Sequence, residues 1–278
     1  IDPIHPAAVD PRHIVAPIRT HRVTQAFGSP ALWERVGRYC REQQITLPSL
    51  SRVLSAGAPV PPHVVESIRE VLTAPGADIH TPYGATEALP VAVISGRDII
   101  GTTASRSAQG AGTCVGTLFP EVDVRIARID DGPISDFSAL DLLAPGEIGE
   151  IVVRGPSVTK RYFRRDQATA MAKVADGNVT WHRMGDVGYF DEHGRLWFCG
   201  RKAHRVITER GTLFPVPCEA IFNQHPHVYR SALVGVGRPG KERPAICVEL
   251  EREYRHAKRE NLSRQLLDLA AANERTQE

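Results

Sequence analysis

The sequence has 278 residues, of which 42% are apolar and 24% are charged, and its formal net charge is +2. This length predicts about two domains, and the apolar content suffices for a sizeable core, which excludes a chain that is disordered throughout. The net charge is too small to indicate a nucleic-acid-binding protein by itself, and no run of about 18 apolar residues predicts a transmembrane helix. The sequence begins with Ile1 and shows no signal peptide, so we expect a fragment or a processed chain.

The five cysteines lie far apart and form no C-x-x-C pair. This spacing is typical of neither a zinc site nor a disulfide framework, so we expect reduced, mostly buried thiols and a cytoplasmic protein. His225 and His227 flank Pro226 and could be metal ligands, but surface histidines in a loop are the more common explanation. We therefore expect no metal site made of protein side chains alone.

The first part of the chain, residues 1–97, is predicted to be part of an α/β nucleotide-binding subdomain. Ser29 and Pro30 precede apolar residues at helical spacing, which predicts a helix over 30–43. A strand, an amphipathic helix and a second strand follow over 52–82. These three elements predict a parallel, right-handed βαβ unit.

From about residue 98 the sequence consists of short β-rich runs separated by turn residues, which predicts an antiparallel barrel or sandwich over 98–201. Asp191 to Gly194 supply the turn of a hairpin. An incomplete small α+β domain is predicted over 202–278, ending in a charged helical tail over 252–278. The predicted strands cover 122–129, 149–153, 187–190, 196–199, 232–236 and 245–250, and a helix is predicted over 218–224.

Two loops of the βαβ unit contain candidate ligand-binding residues. Gly57-Ala58-Pro59 and Thr81-Pro82-Tyr83-Gly84-Ala85-Thr86-Glu87 both follow the carboxyl end of a strand, where open parallel sheets bind ligands. The second loop offers an aromatic face, a hydroxyl and a carboxylate, which suit a nucleotide and its magnesium ion. Taken alone, Gly84 could be a simple turn residue, Tyr83 a core residue and Glu87 an acid at the start of a helix.

A second group of candidates lies in the β-rich part, in Met184-Gly185-Asp186-Val187-Gly188-Tyr189 and Leu196-Trp197-Phe198-Cys199-Gly200-Arg201. The carboxylate of Asp186 has two acceptor oxygens and suits a vicinal diol such as ribose, while Arg201 presents planar donors. Alternatively, Asp186 could cap a turn and Arg201 could lie at a rim.

These motifs together resemble those of the adenylate-forming superfamily, which includes acyl-CoA synthetases, luciferases and the adenylation domains of peptide synthetases. Residues 83–87 match its Y-G-x-T-E motif, and residues 185–189 with 200–201 match its G-D-x-G-Y and G-R motifs. Residues 146–156 resemble its G-E-I-x-V-x-G-P strand pair with two extra residues, and residues 112–116 resemble the G-x-x-G segment before it.

The resemblance covers roughly residues 50–250 and implies an acyl-CoA synthetase-like fold, with ATP and Mg²⁺ as the cofactors. It implies that Thr86 contacts a phosphate and that Glu87 holds the magnesium ion. Gly57, Ala58 and Pro59 would line the adenine, Tyr83 would stack on it, and Asp186 with Arg201 would bind the ribose hydroxyls. The residues implied in nucleotide binding are Gly57, Ala58, Pro59, Tyr83, Gly84, Asp186 and Arg201.

The sequence also departs from the family pattern. The family's Ser/Thr/Gly-rich phosphate loop and its adenylation lysine have no match, so the resemblance implies a fragment that is inactive alone. Residues 235–241 imitate a Walker A loop, but Glu242 stands where Ser or Thr is required and Pro244 prevents an immediate helix. We therefore expect a turn between two strands there.

Residues 211–222 most resemble the branch of the family that acts in bacterial long-chain olefin biosynthesis. This implies ATP-dependent activation of a β-hydroxy fatty acid as an acyl-adenylate, with release of pyrophosphate, followed by closure of a β-lactone. Ala203 and His204 replace residues usual at the family's domain hinge, which suits a reaction that needs no coenzyme A. The implied partners are ATP and the fatty acid, with other enzymes of the same pathway as candidate protein partners.

Two alternatives remain open at this point. One is a long-chain fatty acyl-CoA ligase that passes the acyl group to coenzyme A. The other is a non-catalytic nucleotide-binding interaction protein. Basic clusters at 161–165, 201–205 and 252–259 suggest a nucleic-acid-binding module, but the aromatic residues among them do not form a pattern that resembles a stacking platform. We therefore expect no nucleic-acid partner.

Overall fold

The computed structural model describes residues 9–254 and 259–276. The chain forms two compact units. The first comprises Ile1–Gly84, Pro90–Ala104 and Val115–Phe119, and the second comprises Ala85–Leu89, Ser105–Cys114 and Pro120–Glu278. Among the helices of the described part, none is both long enough and apolar enough to cross a lipid bilayer.

The first unit is built from a parallel strand group, an antiparallel strand pair and helices. Strands β1 and β2 are parallel, as are β2 and β3, whereas β4 and β5 are antiparallel. The helices are α1 (Arg12–Thr20), α2 (Pro30–Glu42) and α3 (Pro62–Val71). The strands are β1 (Gln25–Gly28), β2 (Arg52–Ser55), β3 (Asp78–Ala85), β4 (Ala88–Ser95) and β5 (Thr113–Leu118).

Helix α2 shows why the sequence folds as predicted here. The Ser29 side chain accepts a hydrogen bond from the Leu32 amide, and Pro30 occupies the first turn, where its missing N–H costs nothing. The buried indole of Trp33 donates to the carbonyl of Leu54 at 3.1 Å, which fixes α2 against β2. The predicted helix and the parallel βαβ unit are confirmed.

Two predictions about this part of the chain were wrong. Strand β3 continues to Ala85, so Tyr83 and Gly84 lie in a strand, and only Thr86 and Glu87 form the turn before β4. Residues 96–111, at the start of the stretch predicted to be β-rich, are helical and include π-type turns. The many Ser, Thr, Ala and Gly residues there give no hydrophobic period, so the helical turns leave little trace in the sequence.

The second unit contains the predicted antiparallel β-rich part. Strand β9 pairs with β10, β7 and β8, and β7 pairs with β6, all antiparallel. Trp181 packs with Val152 and Val174 in its core and stacks on Phe137, with ring centroids 4.5 Å apart. The elements are β6 (Asp123–Ala127), β7 (Gly149–Arg154), α4 (Asp166–Ala172), β8 (Lys173–Asp176), β9 (Val179–Phe190) and β10 (Leu196–Arg201).

The same unit continues into a smaller group of elements. Residues 235–241, which imitate a Walker A loop, belong to the β13–β14 hairpin, as predicted. Phe222, Val228 and Leu266 form a small core there. The elements are β11 (Val206–Ile207), β12 (Thr212–Leu213), α5 (Pro215–Phe222), β13 (Val228–Arg238), β14 (Lys241–Leu250) and α6 (Arg259–Ala271).

The helical tail predicted over 252–278 is only partly a helix. Arg252–Tyr254 form a 3₁₀ turn, and the regular helix α6 starts at Arg259 and ends at Ala271. Residues 255–258 and 277–278 lie outside the described residues, as do residues 1–8.

Candidate active site

In the first unit, the candidate adenine-binding residues lie at or just beyond the carboxyl ends of two neighbouring parallel strands. Gly57, Ala58 and Pro59 follow β2 after one intervening residue, Ala56, and are exposed. Tyr83 and Gly84 are partly buried near the end of β3. Since β2 and β3 pair in parallel, their carboxyl ends lie at the same edge of the sheet, and both groups of residues lie at that edge.

The turn between β3 and β4 presents the acid that the sequence assigns to magnesium. Glu87 is partly buried, and its carboxylate Oε1 accepts a hydrogen bond of 2.7 Å from the Tyr162 hydroxyl. Its backbone carbonyl accepts from the Thr159 amide at 2.9 Å. The hydrogen bond from Tyr162 lowers the pKa of Glu87, so the side chain is a carboxylate at neutral pH. Thr86 is exposed beside it.

Two basic side chains lie in the surroundings of this carboxylate. The Lys173 ammonium donates to the Thr159 hydroxyl at 3.0 Å and lies 5.7 Å from the centroid of the Tyr162 ring. Burial lowers the pKa of Lys173 to about 8. Burial, together with the charge of Lys173, lowers the pKa of His182 to about 4, so its imidazole is neutral at physiological pH.

Sequence reasoning missed Tyr162, Lys173 and His182. It treated residues 161–165 only as a basic cluster and gave Tyr162 no chemical role. The one feature of the sequence that could have pointed to Tyr162 is its position shortly after the G-P of the motif at residues 146–156.

Strands β9 and β10 bring together Asp186 and Arg201, the two residues to which the resemblance gives the ribose contacts. The two residues are direct partners in the antiparallel register, and the guanidinium Nη1 lies 2.9 Å from the Asp186 carboxylate. The Asp186 side chain is only 6% exposed, whereas that of Arg201 is 56% exposed. The buried acid is therefore held in place by a cation that also faces solvent.

Gly200 allows this arrangement. Its φ is +124°, a region that other residues rarely adopt, and a Cβ there would lie 2.4 Å from Cγ of Pro215. The register of β9 and β10 also shifts between Phe198 and Gly200. This bulge sets Arg201 opposite Asp186.

A buried ion pair supports the strand that carries Asp186. Three residues before it, Arg183 contacts Glu150 on β7 at 2.7 Å and also donates to the backbone carbonyls of Asp130, Gly132 and Met171. The Lys202 ammonium lies 3.0 Å from the same Glu150 carboxylate. Because Lys202 directly follows Arg201, this pair fixes the backbone on both sides of the Asp186–Arg201 contact.

The arrangement around Glu87 fits a magnesium ion that is shared with a nucleotide. Within residues 9–254 and 259–276, no group of three His, Cys, Asp or Glu side chains could hold a metal ion. Magnesium commonly binds one or two carboxylates together with substrate phosphates. A single carboxylate with one neutral hydrogen-bond donor suits that role.

The two histidines considered as metal ligands, His225 and His227, make contacts with neighbouring protein groups instead. His225 is buried and is not the surface residue that the sequence led us to expect. Its ring accepts a hydrogen bond from the His227 amide at 3.1 Å and contacts the Gln265 side chain at 3.2 Å. His227 stacks on Tyr254. Four of the five cysteines are buried with free thiols, and Cys247 is exposed.

A protein-family model described as "AMP-binding enzyme" matches residues 3–163, more than half of the chain. The chain belongs to the AMP-binding enzyme family. It is 52% identical over 257 residues to an olefin beta-lactone synthetase of Stenotrophomonas maltophilia, covering 91% of this chain and 46% of that protein. The corresponding enzyme of Xanthomonas campestris pv. campestris is also 52% identical, over 256 residues, covering 90% and 45%.

Solved structures confirm the fold of the family. The amide bond synthetase McbA of Marinactinospora thermotolerans superposes with a TM-score of 0.76 at 28% identity, covering 96% of this chain and 49% of that one. The O-succinylbenzoate coenzyme A synthetase of Bacillus subtilis, in complex with ATP and a magnesium ion, gives 0.71 at 21% identity, covering 95% and 48%. The chain thus spans about half the length of the relatives it matches.

Proposed function

We propose that the protein containing this chain activates a β-hydroxy fatty acid with ATP and then closes it to a β-lactone. The observation that carries this proposal is the 52% identity to two olefin beta-lactone synthetases over nine tenths of the chain. Feruloyl-CoA synthase and other coenzyme A ligases are more distant, at 28–32% identity. The proposal concerns the whole protein, since the chain spans less than half of the two synthetases.

We assign the nucleotide contacts by position in the family motifs. Asp186 accepts hydrogen bonds from the ribose hydroxyls, and the exposed guanidinium of Arg201 adds donors next to it. Gly57, Ala58, Pro59, Tyr83 and Gly84 contact the adenine, and Thr86 contacts a phosphate oxygen. Glu87 holds Mg²⁺, which when bound offsets the negative charge that develops on the phosphates.

The first step is attack of a substrate carboxylate oxygen on the α-phosphorus of ATP. The bond between the α-phosphorus and the bridging oxygen breaks, and pyrophosphate leaves with the electron pair. The product is an acyl-adenylate, a mixed anhydride. In the second step the substrate's own β-hydroxyl oxygen attacks the acyl carbonyl, AMP leaves, and the hydroxyl proton passes to solvent or a base. The four-membered lactone therefore needs no external acceptor.

The main alternative is transfer of the acyl group to coenzyme A, and the segment after Arg201 bears on it. Ala203 lies in the turn Lys202–His204. Lys202 in this turn pairs with Glu150, and Arg205, directly after the turn, pairs with Asp131. These contacts tie both sides of Ala203 to the β-rich part. Because residues usual at the family's domain hinge are replaced here and the segment is anchored, we infer that the reaction is completed without movement at this hinge.

Product analysis tests the proposal. The whole protein is incubated with ATP, Mg²⁺ and a β-hydroxy fatty acid in the absence of coenzyme A, and the products are identified by mass spectrometry. We expect a β-lactone and AMP in equal amounts. Acyl-CoA that forms only when coenzyme A is added would support the ligase instead, and ATP binding without any pyrophosphate release would support a non-catalytic nucleotide-binding protein.

We also propose a cytoplasmic location, supported by the free thiols of the four buried cysteines. A β-lactone is a strained and reactive ester. An enzyme that consumes it is therefore the protein partner that this function would call for.

A further inference from the structure

The loop after β7 holds the turn that contains Glu87 at two points. The Thr159 amide binds the backbone carbonyl of Glu87, and the Tyr162 hydroxyl binds its carboxylate. One contact fixes where the residue lies, and the other fixes how its side chain is turned. Both donors come from one stretch of four residues, 72 to 75 positions further along the chain.

The position of Tyr162 is itself fixed by its neighbours. Its backbone amide donates to the Thr169 hydroxyl at 3.1 Å, and that hydroxyl donates to the carbonyl of Arg165 at 2.8 Å. Thr169 lies on α4, so the helix and the loop form one hydrogen-bonded unit. The Tyr162 ring also lies beside the Lys173 ammonium. The hydroxyl is therefore presented by a braced side chain.

The chemical type of this donor matters. A tyrosine hydroxyl is neutral and occupies one carboxylate oxygen, whereas an ammonium or guanidinium would compete with a cation for the negative charge. Among the described residues, no side chain other than Tyr162 donates a hydrogen bond to the Glu87 carboxylate, and no ion pair joins it to Lys173. The carboxylate thus keeps its charge while its orientation is set.

We propose that Tyr162 is a positioning residue that orients the Glu87 carboxylate for the magnesium ion of MgATP. This inference rests on the proposed role of Glu87 and extends it. Residues that hydrogen-bond to metal ligands typically contribute about 10–100-fold to metal affinity. Tyr162 contributes in this way without touching the metal or the nucleotide.

The test compares ATP binding with and without magnesium in the whole protein, by titration calorimetry. The variants are Tyr162→Phe, which removes only the hydroxyl, and Glu87→Gln. Tyr189→Phe is the matched control, because its hydroxyl donates to the backbone carbonyl of Ala111 at 2.9 Å instead of to Glu87. The measured quantity is the factor by which magnesium strengthens ATP binding, relative to binding in EDTA.

We expect Glu87→Gln to abolish this magnesium factor and Tyr162→Phe to reduce it about tenfold, while Tyr189→Phe leaves it unchanged. Unaltered binding of ATP in EDTA shows that each variant is folded. If Glu87→Gln keeps the full magnesium factor, the metal role of Glu87 is wrong. If Glu87→Gln loses it but Tyr162→Phe behaves like the unmodified protein, the positioning role of Tyr162 is wrong and the proposed function stands.

Discussion

Two residues near Glu87 are buried bases whose protonated forms are disfavoured by their surroundings. His182 is 3% exposed and Lys173 is 8% exposed. Burial is the main cause of the lowered pKa of both groups, and the positive charge of Lys173 lowers the pKa of His182 further. The Glu87 carboxylate acts in the opposite direction on both.

His182 therefore makes the stability of the protein depend on pH. Its pKa is about 4 in the folded protein, below the ordinary value of 6.5, so the unfolded chain binds the proton first as the pH falls. Above pH 6.5 the imidazole is neutral in both the folded and the unfolded state, so the stability is fully present. As the pH falls from 6.5 towards 4, only the unfolded chain binds the proton, and the free energy of unfolding decreases by about 3 kcal/mol in all.

Urea unfolding between pH 7 and pH 4 measures this effect, with His182→Gln as the comparison. We expect the free energy of unfolding to fall less steeply with acid in the variant, because it lacks the imidazole that titrates. The other acidic groups titrate in both proteins and cancel in the comparison. Identical pH slopes for the two proteins would show that His182 does not titrate as described.

Asp186 gives the sharpest test of the nucleotide contacts. In the whole protein, Asp186→Ala should lower kcat/KM for ATP-dependent pyrophosphate release by about 100-fold or more, because the variant loses the two hydrogen bonds that we propose between this carboxylate and the ribose hydroxyls. Asp141→Ala is the matched control, since Asp141 also pairs with an arginine, Arg128, but on an exposed surface. Normal turnover in the Asp186 variant would refute the ribose assignment.

The single-residue contacts differ in how far the sequence could predict them. Asp186 and Arg201 lie in consecutive strands joined by a recognisable turn, so the sequence places them close together. An unbroken antiparallel register would set Gly200 opposite Asp186, and the bulge between Phe198 and Gly200 brings Arg201 there instead. Tyr162 meets Glu87 across 75 residues of chain. Nothing in local spacing predicts such a contact, because it depends on how a loop folds back onto a distant turn.

At the scale of secondary-structure elements, the β9–β10 hairpin is held by one carboxylate. Asp191 accepts hydrogen bonds from the amides of His193 and Arg195, from the Arg195 side chain, and from the indole of Trp197 at 2.8 Å. Burial acts to raise the pKa of Asp191, but these hydrogen bonds outweigh it and bring the pKa to about 2. The sequence predicted the turn, but not that its acid also anchors the buried Trp197, six residues further on in β10.

Asp191→Asn should destabilise the fold by about 2–4 kcal/mol, because the amide group replaces an acceptor oxygen with a donor that faces other donors. The free energy of unfolding in urea at pH 7 measures the loss. Glu192→Gln in the same turn is the control, since Glu192 is 63% exposed and its ion pairs within the described part of the chain are with Arg106 and His193 at the surface. We expect it to change stability by less than about 1 kcal/mol. Equal stability of the two variants would contradict the anchoring role of Asp191.

At the scale of the whole chain, the sequence predicts the secondary structure correctly where one hydrophobic period or one turn signal dominates. The parallel strands of the first unit and the antiparallel strands of the second are of this kind. The prediction failed for residues 96–111, whose small side chains suit helix and loop alike, and for the end of β3, where Pro82 and Gly84 disguise a strand. The division into subdomains at residues 97 and 201 stays a prediction.

The last prediction concerns this chain on its own. It contains the residues to which we assign adenine, ribose and magnesium contacts, but its 278 residues include no match to the family's phosphate loop or adenylation lysine. It also spans less than half of each of the two olefin beta-lactone synthetases described above. Groups that stabilise the charge of a transition state commonly contribute 10²–10³-fold each. The isolated chain should therefore release pyrophosphate at least about 1000-fold more slowly than the whole protein.

The measurement is pyrophosphate release at saturating ATP, Mg²⁺ and β-hydroxy fatty acid, for equal concentrations of the chain and the whole protein. Near-ultraviolet circular dichroism of the buried Trp33, Trp181 and Trp197 shows whether the chain is folded under these conditions. Turnover by the folded chain within tenfold of the whole protein would mean that residues of this chain handle the phosphates themselves. Lys173, a buried lysine whose pKa is lowered to about 8 by desolvation, would then be the first residue to replace.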